Sequence, residues 1–194
     1  MKRHPMGKKI TGILIILWMI VIFAFSAQPA QQSSQTSGTV AYQITKWQNS
    51  LFHQGKTGEE LYALANSMQF AIRKSAHMGE YAILAFLLCL HMSYYRFSPK
   101  KSSKHNAASL PSTKRPLDTK RLIFLSLTIT AGYAATDEFH QLFVPGRACR
   151  VMDVCIDSLG GVLGIIFFLI LYKYFPLCKH RILKKRNQRK GKHR

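Results

Sequence analysis

The chain has 194 residues, 47% of them hydrophobic, and carries 28 Lys and Arg against 8 Asp and Glu. The average composition is ordinary, but the apolar residues gather into four blocks with the charge between them, which excludes an evenly mixed soluble domain and gives no basis for a second one. Basic residues that flank apolar blocks point to anionic lipid headgroups as partners, not to nucleic acid.

The first block, 10–26, has no charged residue. It is near the lower length limit for crossing an apolar core about 30 Å thick. A signal peptide is the rival reading, with Lys2, Arg3, Lys8 and Lys9 as its basic region and Ala24-Phe25-Ser26 as a cleavage site. The block is long for that role, so a retained helix is expected. Residues 28–38 are polar and uncharged and read as a flexible linker. Val40, Ile44, Trp47 and Leu51 then recur at helical spacing. Thr57 and Glu60 fit a capping box, followed by the stripe Leu61, Leu64, Ala65 and Met68. One or two short amphipathic helices on the outer leaflet are predicted here, the second able to run into the next span.

The second block covers 78–95 with Glu80 near its start, and the third 122–143 with Asp137, Glu138, His140 and Gln141 in its last turns. Between them, 98–119 is a Ser-, Lys- and Pro-rich loop expected to be disordered. Val144-Pro145-Gly146-Arg147 suits a type II turn. The fourth block, 151–175, carries Asp153 and Asp157 early and a Gly160-x-x-x-Gly164 pair suited to close helix packing. A basic tail, 179–194, follows. Cys89, Cys149, Cys155 and Cys178 show no zinc spacing and read as unpaired thiols, although Cys149 and Cys155 are near enough to meet.

The N-terminus, the 96–121 connection and the segment from Lys173 onward hold 22 of the 28 basic residues. The positive-inside rule then favours four spans with both termini cytoplasmic. The predicted fold is an all-α, polytopic four-helix transmembrane bundle, a single domain over 1–194, in the cell membrane. Its basic loop and tail lie against the anionic inner leaflet.

Five of the eight acids, Glu80, Asp137, Glu138, Asp153 and Asp157, fall within or at the ends of apolar blocks, all on the outer side. Carboxylates near hydrocarbon usually face a bundle interior or a wet cavity. Arg73, His77 and Glu80 share a helical face, as do Asp137 with Gln141 and Asp153 with Asp157. Arg147 and Arg150 lie at the turn. One outward-open site is expected from Glu80, Asp137, Glu138, Asp153 and Arg147, ringed by Arg73, His77, Gln141 and Asp157. Polar residues at headgroup level, or ion pairs that only hold the bundle, are the plainer alternatives.

Phe25-Ser26-Ala27-Gln28, the run Arg73-Lys74-Ser75-Ala76-His77-Met78-Gly79-Glu80-Tyr81, Asp137-Glu138 with Gln141 and Pro145-Gly146-Arg147, and Asp153 with Asp157 and Gly160 occur in that order. Together they resemble the VanZ-like family of bacterial membrane proteins, from the first helix to the fourth. The resemblance implies a membrane protein of the cell envelope whose founding members are linked to low-level resistance to teicoplanin. It implies no established activity.

The residues leave three functions open. A binding protein would recognise a lipid-linked or lipophilic envelope molecule, its arginines meeting phosphate or carboxylate and its acids meeting hydroxyls or amines. An enzyme would use Glu80 or Glu138 as acid or base, assisted by His77 or His140. No cofactor is expected, although Asp137, Asp153 and Asp157 could hold a divalent ion. A proton-coupled transporter fits less well, because no internal repeat is visible.

Overall fold

The computed structural model describes residues 5–94 and 119–191, with side chains over 6–94 and 119–174. Five α-helices follow one another among the described residues: α1 (Pro5–Ser26), α2 (Ala30–Leu51), α3 (Gly58–Ser93), α4 (Thr119–Gln141) and α5 (Val151–Gly191). No strand occurs among them. The predicted loop over 98–118 lies outside the described residues, and the 179–191 part of the basic tail continues the helix of α5.

Three helices are long and apolar enough to cross a membrane: Met6–Ser26, Gly58–Ser93 and Val151–Tyr174. Their packing has the polarity expected in lipid. Ile13, Ile16, Leu17 and Ile20 of α1 and Leu163, Ile166 and Phe167 of α5 are exposed, while Thr11 and Ser26 are buried. Backbone groups without water must bond within the helix, and polar side chains turn toward neighbouring helices.

The sequence predicted a fourth span, and α4 does not reach the same apolar threshold. Its uncharged stretch lies between Arg121 and Asp137, and it is interrupted by Ser126, Thr128, Thr130 and Thr136. Ser126, Thr130, Ala134, Asp137, Glu138 and Gln141 form its buried face. The helix packs against α1, α3 and α5, so its polar stripe faces protein while Phe124 and Phe139 are exposed.

The 28–38 segment is not a flexible linker. Only Ala27 to Pro29 separate α1 from α2, and the two short amphipathic helices expected are one 22-residue helix, α2, and the first turns of α3. Small side chains explain this. Ser37, Ala41 and Thr45 recur every four residues and are buried where α2 meets α3, whose Leu61 and Ala65 are buried in turn. Tyr42 stacks on Tyr62 at 4.4 Å, and the Gln69 side-chain amide bonds the Ser34 carbonyl. Such tertiary packing stabilises a helix that local propensity alone would not.

The capping box forms, with the Thr57 N–H donating to Glu60 Oε2 at 2.8 Å. From there α3 runs 36 residues without a break. At 1.5 Å per residue that is about 54 Å, well over the thickness of a hydrocarbon core near 30 Å. The first turns of α3 pair with α2 as a helical hairpin.

Glycines set the approach of α3 to α5. A Cβ on Gly160 would strike the Met78 carbonyl and one on Gly164 the Ala82 carbonyl, so the pair lies directly against the α3 backbone. Gly161 faces Thr130 and Ala85. Buried Tyr81, Leu84 and Leu88 pack with Ile15, Ile22 and Ala134, and Ala85 and Cys89 pack with Leu122, Ile165 and Phe168. Cys89, Cys149 and Cys155 are free thiols.

Candidate functional site

The site forms where the chain reverses between α4 and α5. The Arg147 N–H donates to the Val144 carbonyl at 3.1 Å, and Gly146 has φ +73°. That closes the predicted type II turn, whose third position needs the left-handed region that glycine tolerates. The turn is tied to the start of α2, because the Ala30 N–H donates to the Pro145 carbonyl at 3.1 Å. Arg147 Nε donates to the Gln28 carbonyl at 3.0 Å. The ends of α1, α2, α4 and α5 thus meet beside the middle of α3.

A cavity of about 160 Å³ lies among them, lined by Arg73, Lys74, His77, Glu138, Gln141, Arg147, Arg150, Asp153 and Asp157, with Phe70 and the small residues Ala30, Gly146 and Ala148. Seven of the nine residues expected at the site line it. Glu80 and Asp137 do not, and each is one contact removed. His77 Nδ1 is 3.3 Å from Glu80 Oε2. Asp137 is buried at 3% exposure, with Ser26, Tyr81 and Gln141 around its carboxylate. His140 stands apart from the cavity. Its ring sits 4.4 Å from that of Phe23 on α1.

Two lining cations were absent from the expected set. Lys74 pairs with the Asp153 carboxylate, both largely shielded, and lies over the Phe70 ring at 5.7 Å. Arg150 donates its backbone N–H to Glu138 Oε2 at 3.0 Å. Lys74 is one residue on from Arg73, so a helical wheel placed it on a neighbouring face. Only the approach of α5 turns that face into a cavity wall. The reach of Arg150 depends on the turn conformation and had no periodic signal.

Three acids near the cavity have a neighbour of opposite or donor character: Asp153 pairs with Lys74, Glu138 accepts the Arg150 N–H, and Glu80 lies beside His77, while Asp137 Oδ1 is buried without a hydrogen bond among the described residues. The guanidiniums do not pair with them. Among the described residues, no carboxylate lies within 4.0 Å of Arg73, Arg147 or Arg150. Arg73 Nη1 meets only the Ser34 hydroxyl oxygen, at 3.2 Å, and Arg147 Nη2 is buried without a partner. Burial, and then the charge of Arg73, push Arg147 below its ordinary pKa. Both disfavour an unpaired cation.

The expected metal candidates do not come together. Asp153 and Asp157 line the cavity, whereas Asp137 is turned toward Ser26 and Tyr81. Among the described residues, no group of three or more His, Cys, Asp or Glu is arranged to hold a metal ion.

A family model described as VanZ/LLP1 matches residues 11–172, from α1 through most of the apolar part of α5. No curated protein and no solved structure matches the chain. The matched region contains every residue of the cavity, and the chain belongs to the VanZ/LLP1 family.

Proposed function

Starting from that membership, we propose that the chain is a multi-pass membrane protein whose cavity opens to the outer face and recognises the polar end of a lipid-linked or lipophilic envelope molecule. One observation carries the reading. A cavity lined by four cationic and three acidic side chains is built into helices whose outward faces are apolar. An amphiphile needs both surfaces, a polar seat for its head and an apolar flank for its chain.

Topology completes the proposal. The four helices α1, α3, α4 and α5 span, with α4 carried across by burying its polar stripe against protein. The 22-to-6 division of Lys and Arg supports cytoplasmic termini and a cavity on the outer side. The α2–α3 hairpin then stands above the outer leaflet.

Volume narrows the ligand. About 160 Å³ accommodates a phosphate with a sugar-sized fragment, and is below the roughly 300–1,000 Å³ typical of drug-sized ligands. A teicoplanin-type glycopeptide would place only one polar group in it, with its acyl chain in the bilayer. A link to glycopeptide resistance would work through that partial seating, or through a native lipid of the same chemistry.

Mass spectrometry of lipid retained by detergent-purified protein tests the reading. One lipid class should be enriched over its share of the membrane, and Arg147→Ala should release it. Retained lipid matching bulk membrane in both proteins would count against a recognition site.

A second reading, an enzyme acting on the same molecule, is favoured by the His77–Glu80 contact. A carboxylate that orients an imidazole at a cavity wall suits general acid–base chemistry. His77→Asn would then abolish turnover while leaving binding intact.

A further inference from the structure

Arg73 and Arg147 both line the cavity, one from α3 and the other from the turn before α5. They are near enough for the charge of Arg73 to bear on Arg147. Neither has a carboxylate within 4.0 Å among the described residues. Three carboxylates line the same cavity, yet Asp153 and Glu138 are engaged by Lys74 and the Arg150 N–H. Two guanidiniums line one cavity without a paired carboxylate, and the buried Nη2 of Arg147 has no hydrogen-bond partner among the described residues, which leaves donor capacity for an anion.

We propose that the anion is a terminal phosphate, a phosphomonoester at the end of a lipid, held between Arg73 and Arg147. The proposal rests on the lipid-recognition reading and names its headgroup. A carboxylate offers two oxygens in one plane and satisfies one guanidinium fork. A phosphomonoester offers three terminal oxygens and close to two negative charges near neutral pH, enough for two forks. A phosphodiester inside a larger headgroup has two free oxygens and one charge, and matches the pair less well. Glu138 and Asp157, which also line the cavity, would accept hydroxyl donors, but they stand against a second phosphate in the same cavity.

The test uses full-length protein in detergent and measures binding by native mass spectrometry. The probes are dioctanoyl phosphatidic acid, dioctanoyl phosphatidylcholine, octanoate and inorganic phosphate. The phosphomonoester lipid should bind at least about 10-fold more tightly than the other three. Arg147→Ala and Arg73→Ala should each weaken it about 10- to 100-fold, the loss expected for one charge-assisted contact. Arg147→Lys should fall between, because a lysine keeps charge without the fork. Far-ultraviolet circular dichroism and melting of each variant separate lost binding from lost folding. If a variant does not fold, Arg147→Lys and Arg73→Lys carry the comparison.

The outcomes separate the two claims. If phosphatidylcholine or octanoate binds as well and still depends on Arg147, the lipid reading stands and the phosphomonoester proposal is overturned. If inorganic phosphate binds as tightly as the lipid, a phosphate site remains and the lipid reading fails. If no probe depends on either arginine, both fail.

Discussion

Gly164→Ala is the sharpest test of how the site is held. A Cβ at Gly164 would lie 2.9 Å from Ala82 Cα and 2.8 Å from its carbonyl carbon. At Gly160 the corresponding distances to Met78 are 3.0 and 2.9 Å. Non-bonded carbons settle at about 3.5–4.0 Å, so α5 must retreat from α3 by roughly 1 Å. The obstructing atoms are backbone, and no rotamer change relieves them. Overpacking of this kind costs about 1–3 kcal/mol, which for a chain of this size lowers Tm by roughly 2–12 °C. The double variant Gly160→Ala with Gly164→Ala should cost less than the two singles added, because one retreat relieves both. The same retreat draws Asp153 away from Lys74, so ligand retention should fall with stability. Gly132→Ala is the control: nothing lies within 4 Å of its Cβ, and alanine favours the helix. Thermal unfolding in a single detergent reads all four variants against wild type. A Gly164→Ala protein that melts with wild type would refute the close α3–α5 contact.

Three further outcomes are expected. Lys74→Ala should lower stability by about 1–2 kcal/mol, less than a fully buried pair would, and the reversal Lys74→Asp with Asp153→Lys should restore most of it in the same melting assay. Glu80→Gln should leave Tm nearly unchanged and weaken ligand retention or turnover, since it alters the group that orients His77; a fall in folded yield with retained binding would assign Glu80 to packing alone. A protein keeping only Cys149, an exposed thiol in the turn, should be labelled by an impermeant maleimide on intact cells; labelling only after permeabilisation would invert the topology.

Much of the fold was legible because its signals were local. The uncharged run of α1, the Thr57–Glu60 box and the Pro145-Gly146 turn each depend on residues within a few positions of one another. The first half of α2 was not legible, whereas the spacing of Val40, Ile44, Trp47 and Leu51 marked its second half. Its Ser, Thr and Gly residues are weak helix formers, and they settle into a helix because α3 extends far enough to receive Ser37, Ala41 and Thr45. The polar stripe of α4 likewise depends on its neighbours: Ser126 and Thr130 are buried against protein, which spacing alone does not show. At the site, helical spacing grouped Arg73 with His77 and Asp153 with Asp157, and all four line the cavity. It could not tell that Asp137 and His140, on the same helix as Glu138, face α1 and α3 rather than the cavity. The partition of cations was equally hidden. Lys74 reaches Asp153 while Arg73 and Arg147 stay unpaired, and only the three-dimensional approach of α3, α5 and the turn decides that.

The central claim is that the cavity at the outer ends of the helices selects one envelope amphiphile. Photocrosslinking in living cells tests it most directly, with a photoactivatable residue placed at Ala148 in the cavity wall or at Ile166 on the exposed face of α5. Lipid captured at Ile166 should mirror the bulk membrane, and lipid captured at Ala148 should be dominated by one phosphate-bearing class that disappears with Arg147→Ala. The same bulk mixture at both positions, unchanged by Arg147→Ala, would contradict the account.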